Sequence, residues 1–240
     1  MASPQGLGSH PYFPTDAVIA GYAANETPLS TILVKFSLRV GAVMLSSVAL
    51  SRQLNPRLRL ADLLAVSWFS LNGYIHLFFE SYFFLNAATL AGSQSLLAQL
   101  WKEYSLSDSR YLTSDTFVWT IEAISVVCWG PLSVATVFCI VTGKNMRYPL
   151  QLLLSMAHIY GVTLYYGTST VDLVSKGIAH SRPEFLYFWV YYVGTNLPWA
   201  VIPAGFIFSS VRKICKALDV ADRVNPATLS TDRNGLKKSE

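Results

Sequence analysis

The chain has 240 residues, 52% of them hydrophobic and 13% charged, with a mean hydropathy of +0.38 and a net charge of +4. Soluble domains carry about 25% charged residues, so the composition argues against a soluble enzyme and for an all-α integral membrane protein folded as a single bundle. The positive charges are scattered rather than gathered on a nucleic-acid-binding face, and Cys128, Cys139 and Cys215 show no metal-ligand spacing.

Residues 1–28 read as a polar N-terminal segment with Pro and Gly and without the pattern of a signal peptide. Five apolar stretches follow, at roughly 29–50, 62–86, 117–141, 149–168 and 185–210, each near the ~20 residues that cross a bilayer. A bundle of about five transmembrane helices is therefore expected. The chain divides into the polar segment (1–28), a first transmembrane helix with a basic loop (29–60), a four-helix core (61–210) and a basic tail (211–240).

The first stretch carries Lys35 and Arg39 inside its apolar run. Their long side chains either reach for an interface or pair within the bundle. The loops after stretches one and three and the C-terminal tail hold three, two and seven Lys or Arg, against two each in the loops after stretches two and four. The positive-inside rule places the first set in the cytosol and the N-terminus on the lumenal side. The tail ends Lys237-Lys238-Ser239-Glu240, the arrangement of a dilysine retrieval signal, which favours the endoplasmic reticulum membrane.

The second stretch contains IHLFFESYF at 75–83. His76 and Glu80 are four residues apart and so share one helix face. The third contains Glu122 in TIEAISVVCWGP. A charge at mid-bilayer costs at least roughly 2.5–3.5 kcal/mol, so these groups face the bundle interior. Glu80 lies six residues, about 9 Å at 1.5 Å per residue, inside the end of its stretch, and Glu122 lies five residues inside the start of the next. The depths match, and the three side chains fit one pocket in the lumenal half.

The stretch GTNLPWAVIP adds Asn196 and Trp199, three apart, with Pro198 and Pro203 expected to bend the helix. Taken singly, Asn196 also reads as interhelical glue and Trp199 as packing. As a set they suggest a reaction. A carboxyl buried away from water favours its proton-bearing form, a second group removes a proton elsewhere, and a tryptophan face steadies a cation between the two events. Protonation of an apolar alkene, a transient carbocation and deprotonation at another carbon shift a double bond without cofactor or metal. No phosphate-binding glycine loop, GxSxG elbow or His/Cys cluster offers a competing chemistry.

HPYFP (10–14), IHLFFESYF, LWKEYSLSDSRYL (100–112), the glutamate and WGPLS of 122–133, IYG (159–161) and YYVGTNLPWAVIP resemble the emopamil-binding protein family, the sterol Δ8–Δ7 isomerases that share the EXPERA domain. The similarity is collinear over roughly 10–215, and the WKEY…DSRY block is its most specific part. The resemblance implies a five-helix bundle of the endoplasmic reticulum, an EXPERA-type core at 61–210, a sterol substrate, amphipathic amine ligands and no cofactor. A homodimer is compatible with it. It implies His76, Glu80 and Glu122 as acid/base residues, with donation assigned to His76/Glu80 and acceptance to Glu122. Asn196 and Trp199 become the polar and cation-stabilising positions, with Ser125 one turn from Glu122. Tyr104, Asp108, Arg110 and Tyr111 become the cap of the cavity.

Ser125 stands where mammalian members have threonine, and Pro198 and the Lys35/Arg39 pair are departures from the family's pattern. Two rivals remain open: a sterol- or amine-binding protein without turnover, and an isomerase of another polycyclic terpenoid. A transporter fits least, because no internal repeat is present.

Overall fold

The structure is a computed structural model that describes residues 10–224; the Lys237-Lys238 motif lies outside the described residues. Among those residues the fold is all-helical. Five long helices are joined by short loops and one longer, folded connection. They are α1 (Leu29–Leu54), α2 (60–86), α4 (Thr116–Val141), α5 (Arg147–Lys176) and α6 (186–224), with the short α3 (Leu96–Tyr104) in the connection between α2 and α4. The helix starts follow from local chemistry. Ser95 and Asp115 accept the Ala98 and Val118 amides at 3.3 and 2.9 Å, capping α3 and α4. α5 stops at Gly177, whose φ of 69° is the left-handed conformation of a helix end.

Two helices, α1 and α4, are long and apolar enough to cross a membrane. Their outer faces expose large apolar side chains, among them Leu38, Leu45, Val127 and Phe138, an arrangement suited to lipid. α2 interrupts its apolar run with Asn72, His76 and Glu80, which face inward. α1 buries little beyond Ile32 and Ser51, while Lys35 and Arg39 point outward and form no ion pair among the described residues. α2 packs against α1 on one side and α4 on the other, and α5 lies along α6.

Three differences from the expected elements position the site. First, α2, α4 and α6 each contain a wider π-helical segment, at Ile75–Glu80, Ser125–Trp129 and Leu186–Gly194. Such segments re-aim side chains and recur at functional sites. Second, the 87–116 connection is folded rather than an open loop: α3 and a 3₁₀ turn at Ser109–Tyr111 bury Trp101, Lys102, Asp108 and Arg110. Third, residues 10–28 lie across that connection. The Tyr12 hydroxyl donates to the Lys102 carbonyl at 3.1 Å, and Lys102 Nζ donates to the Ala23 carbonyl at 2.7 Å. Pro198 follows a break within α6. The chain turns at Leu197 and helix resumes at Pro198, where a missing amide is harmless.

Two apolar clusters fill the bundle. One holds Tyr12, Phe83, Leu90, Trp101, Tyr111 and Tyr165; the other holds Ala65, Val66, Trp68, Phe69, Ile140 and Leu154. The cavity described next draws its walls from the margins of both.

Candidate active site

A cavity of about 490 Å³ is lined by α1, α2, α3, α4, α5 and α6, within the range of small-molecule sites. Its walls are mostly apolar and aromatic, including Phe36, Phe79, Trp101, Trp129 and Leu164. The polar groups converge at a few points. His76, Glu80, Glu122, Ser125, Tyr104, Tyr111, Asn196 and Trp199 all line it.

The His76 imidazole is buried and its Nδ1 is 2.6 Å from Glu80 Oε2. The shared face comes from the four-residue spacing within the π segment of α2. Glu122 is also buried, and its Oε1 accepts from the Tyr111 hydroxyl at 2.9 Å. The Glu122 carboxyl lines the same cavity as that of Glu80. The carboxyls and the imidazole thus form one cluster across α2 and α4, with the phenol of the 3₁₀ turn closing one end.

Elsewhere in the lining, Trp199 Nε1 donates to Asn72 Oδ1 at 2.7 Å, and its ring packs on Trp68 with centroids 5.4 Å apart. The indole is thereby fixed before any ligand arrives. Asn196 Nδ2 donates to the Tyr192 carbonyl at 2.8 Å and to the Tyr104 hydroxyl at 3.2 Å. Burial pushes the Tyr104 phenol up to about 12, the Asn196 contact partly offsetting it, so its hydroxyl keeps its proton at neutral pH. Burial also holds the Glu103 carboxyl, on the same wall, above its usual range, against the opposing pull of the Tyr191 hydroxyl and Arg182.

Asp108 and Arg110 are not lining residues. Both are buried, with Arg110 Nε 3.0 Å from each Asp108 carboxylate oxygen and Nη2 2.6 Å from Oδ2. The guanidinium also donates to Thr168 Oγ1 and the Tyr165 carbonyl, and lies 5.0 Å from the Tyr165 ring centroid. This pair stands behind the wall and ties the turn bearing Tyr111 to α5.

Two residues of the site had no signal strong enough to be singled out in the sequence. His158 of α5 places its Nε2 3.2 Å from His76 Nε2, a contact in which one nitrogen must carry the proton. A histidine inside the apolar LLLSMAHIYGV run was the available hint. Asn72, fully buried and holding Trp199, was equally visible as a polar residue in the middle of a span.

A mostly apolar cavity inside a helical bundle, with ionisable side chains and a hydrogen-bonded indole in its lining, is the setting of an enzyme for a hydrophobic substrate. Residues 96–210 match the model of the EBP family, described as EXPERA (EXPanded EBP superfamily). The chain is 37% identical to a 3-beta-hydroxysteroid-Delta(8),Delta(7)-isomerase of Mus musculus, over 89% of this chain and 92% of that protein. It is 35% identical to the enzyme of that name from Rattus norvegicus, over 90% and 93%. An isomeliandiol synthase of Melia azedarach is 34% identical over 68% of this chain and 75% of that protein. The chain belongs to the EBP family.

Proposed function

We propose that this protein is a sterol isomerase that moves the B-ring double bond from the Δ8 to the Δ7 position. The observation that carries the reading is the gathering of His76, Glu80 and Glu122 in the lining of an apolar cavity that also holds a hydrogen-bonded tryptophan. The names of the relatives supply the sterol and the bond positions. A non-catalytic binder has no use for a connected proton-transfer cluster.

The chemistry follows from the groups. The His76–Glu80 pair delivers a proton to C9 of the 8,9-alkene, whose electron pair forms the new C9–H bond and leaves a cation at C8. Glu122 then takes a proton from C7, and the electrons of that C–H bond close the 7,8-alkene. Proton counts balance, and no redox partner is required. The Trp199 face steadies the cation, Asn196 and Ser125 offer polar contacts, and Tyr111 holds Glu122 in place. The same cation-stabilising wall accepts amphipathic ammonium ligands, whose charge mimics the intermediate.

The protein works within the membrane of the endoplasmic reticulum as a five-span bundle, its N-terminus lumenal and its tail cytosolic. The loop charge asymmetry and the five long helical segments α1, α2, α4, α5 and α6 support that arrangement. A second reading, an isomerase of another polycyclic terpenoid, draws support from the likeness to an isomeliandiol synthase. The deciding experiment expresses the chain in cells lacking sterol Δ8–Δ7 isomerase and profiles their sterols by mass spectrometry. Reappearance of Δ7 sterols is expected. Persistence of Δ8 sterols, with the protein abundant in membranes, refutes the sterol assignment.

A further inference from the structure

Among the described residues, ten buried side-chain polar atoms have no hydrogen-bond partner on the protein, and five of them belong to α5: Arg147 Nε, Gln151 Nε2, Ser155 Oγ, His158 Nδ1 and Tyr165 OH. Their spacings of four, four, three and seven put all five on one helix face. Gln151, Ser155, His158 and Tyr165 are at most 6% exposed. Buried polar atoms in native proteins are almost always satisfied, so a row of them in register is not explained by packing. The row is bordered by further polar groups. Ser210 of α6, fully buried, lies 3.4 Å from Gln151 Oε1. The unpartnered Trp68 Nε1 belongs to a side chain in the apolar cluster that includes Leu154.

The part of the row from Arg147 to His158 has different surroundings at its two ends. At one end Arg147 Nη1 binds Asp62 Oδ1 at 2.7 Å, and Asp62 also binds Arg59, whose side chain is 72% exposed. That end reaches the surface. At the other end His158 touches His76 through Nε2 and leaves Nδ1 facing away, unpartnered. An imidazole placed this way accepts a proton at one nitrogen and releases one from the other. From Arg147 to His158 is eleven residues, about 16 Å along the axis, with polar side chains every 4.5–6 Å or so. Water held between successive groups would find polar partners on both sides.

We infer that this face of α5 is a water-threaded proton relay joining the surface at Arg147 to the acid/base cluster through Gln151, Ser155 and His158. The inference rests on the isomerase reading above and adds a route to it. After one turnover the His76–Glu80 pair is one proton short and Glu122 holds one in excess. The relay returns a proton from solvent to the pair, while Glu122 gives up its own at the cavity, so the enzyme ends the cycle unchanged. Gln151 and Ser155 position water and do not touch the sterol. Direct passage from Glu122 to Glu80 is the competing route.

The test uses the full-length protein in lipid nanodiscs, with a Δ8 sterol as substrate, in H₂O and D₂O. Ser155→Val and Gln151→Leu fill the thread with hydrocarbon; Met156→Leu, on the exposed face of α5, is the control. Expected is a fall in kcat of at least tenfold for each thread variant, KM within twofold of wild type, and a larger solvent isotope effect on kcat. Should one thread variant fail to reach the membrane, the other carries the same test. Unchanged kcat and isotope effect overturn the relay and favour direct return. A loss of kcat matched by loss of thermal stability and raised KM overturns it in favour of interhelical packing. A wild-type chain that converts no Δ8 sterol removes the isomerase reading and the relay with it.

Discussion

The Asp108–Arg110 pair offers a quantitative test of how the turn bearing Tyr111 is held behind the cavity wall. The side chains are 0% and 1% exposed, and the guanidinium spends its remaining protons on Thr168 and the Tyr165 carbonyl. Asp108→Asn keeps the shape but strips the counter-ion from a buried cation. Breaking a buried pair in this way costs about 3–5 kcal/mol, a large share of the ~5–15 kcal/mol that holds a domain together. At about 2–4 °C per kcal/mol for a chain of this size, unfolding should occur about 6–20 °C lower. Arg110 adjoins Tyr111, which holds Glu122 at 2.9 Å, so kcat should fall well below the melting point. The assay is thermal unfolding of the purified protein alongside sterol turnover at a permissive temperature. The double variant Asp108→Asn/Arg110→Met removes both charges and should recover part of the stability. A single variant that melts within 2 °C of wild type (under about 1 kcal/mol), or a double variant no better than the single, refutes the reasoning.

Glu80→Gln and Glu122→Gln each remove a proposed proton-transfer group while keeping its size, and each should lower kcat by about 10²–10⁴-fold, read by mass spectrometry of Δ7 sterol. Near-wild-type turnover by an abundant variant would clear that residue of an acid/base role. Trp199→Leu should weaken binding of a protonated amphipathic amine by about 2–30-fold, the worth of a cation–π contact, while an uncharged sterol loses much less; equal losses would argue for plain packing. Glu103 sits above the usual carboxylate range because burial disfavours its charge. Its contribution to stability is therefore fullest at acid pH and is lost as pH rises through its folded value. Glu103→Gln should then raise the melting temperature at pH 7.5, with the gain vanishing near pH 4 in paired melting curves. A gain that is independent of pH would contradict the sign.

Much of this protein was legible before any fold was known. Composition and the long apolar runs implied helices, and the structure is all-helical with two of them apolar enough to cross a membrane. The IHLFFESYF spacing was enough to place His76 and Glu80 on one face, because helical period is a property of the local chain. The 100–112 block was recognisable by its aromatic and charged content, yet its charges were not legible as buried: Lys102 is sealed by the carbonyl of Ala23, and Arg110 by contacts from α5.

What the sequence by itself determined was therefore the helical class, the faces of single helices and the membership of one family. Only the tertiary structure decided which faces meet. His76 and His158 are 82 residues apart, Asn72 and Trp199 are 127 apart, and no local periodicity links either pair. The π-helical segments belong to the same category, since a regular 3.6-residue period carries no sign of them. Short-range sterics and hydrogen bonding set the helices residue by residue. The contacts that turn scattered polar side chains into a site arise when distant helices exclude water from between them, and that depends on the whole bundle at once.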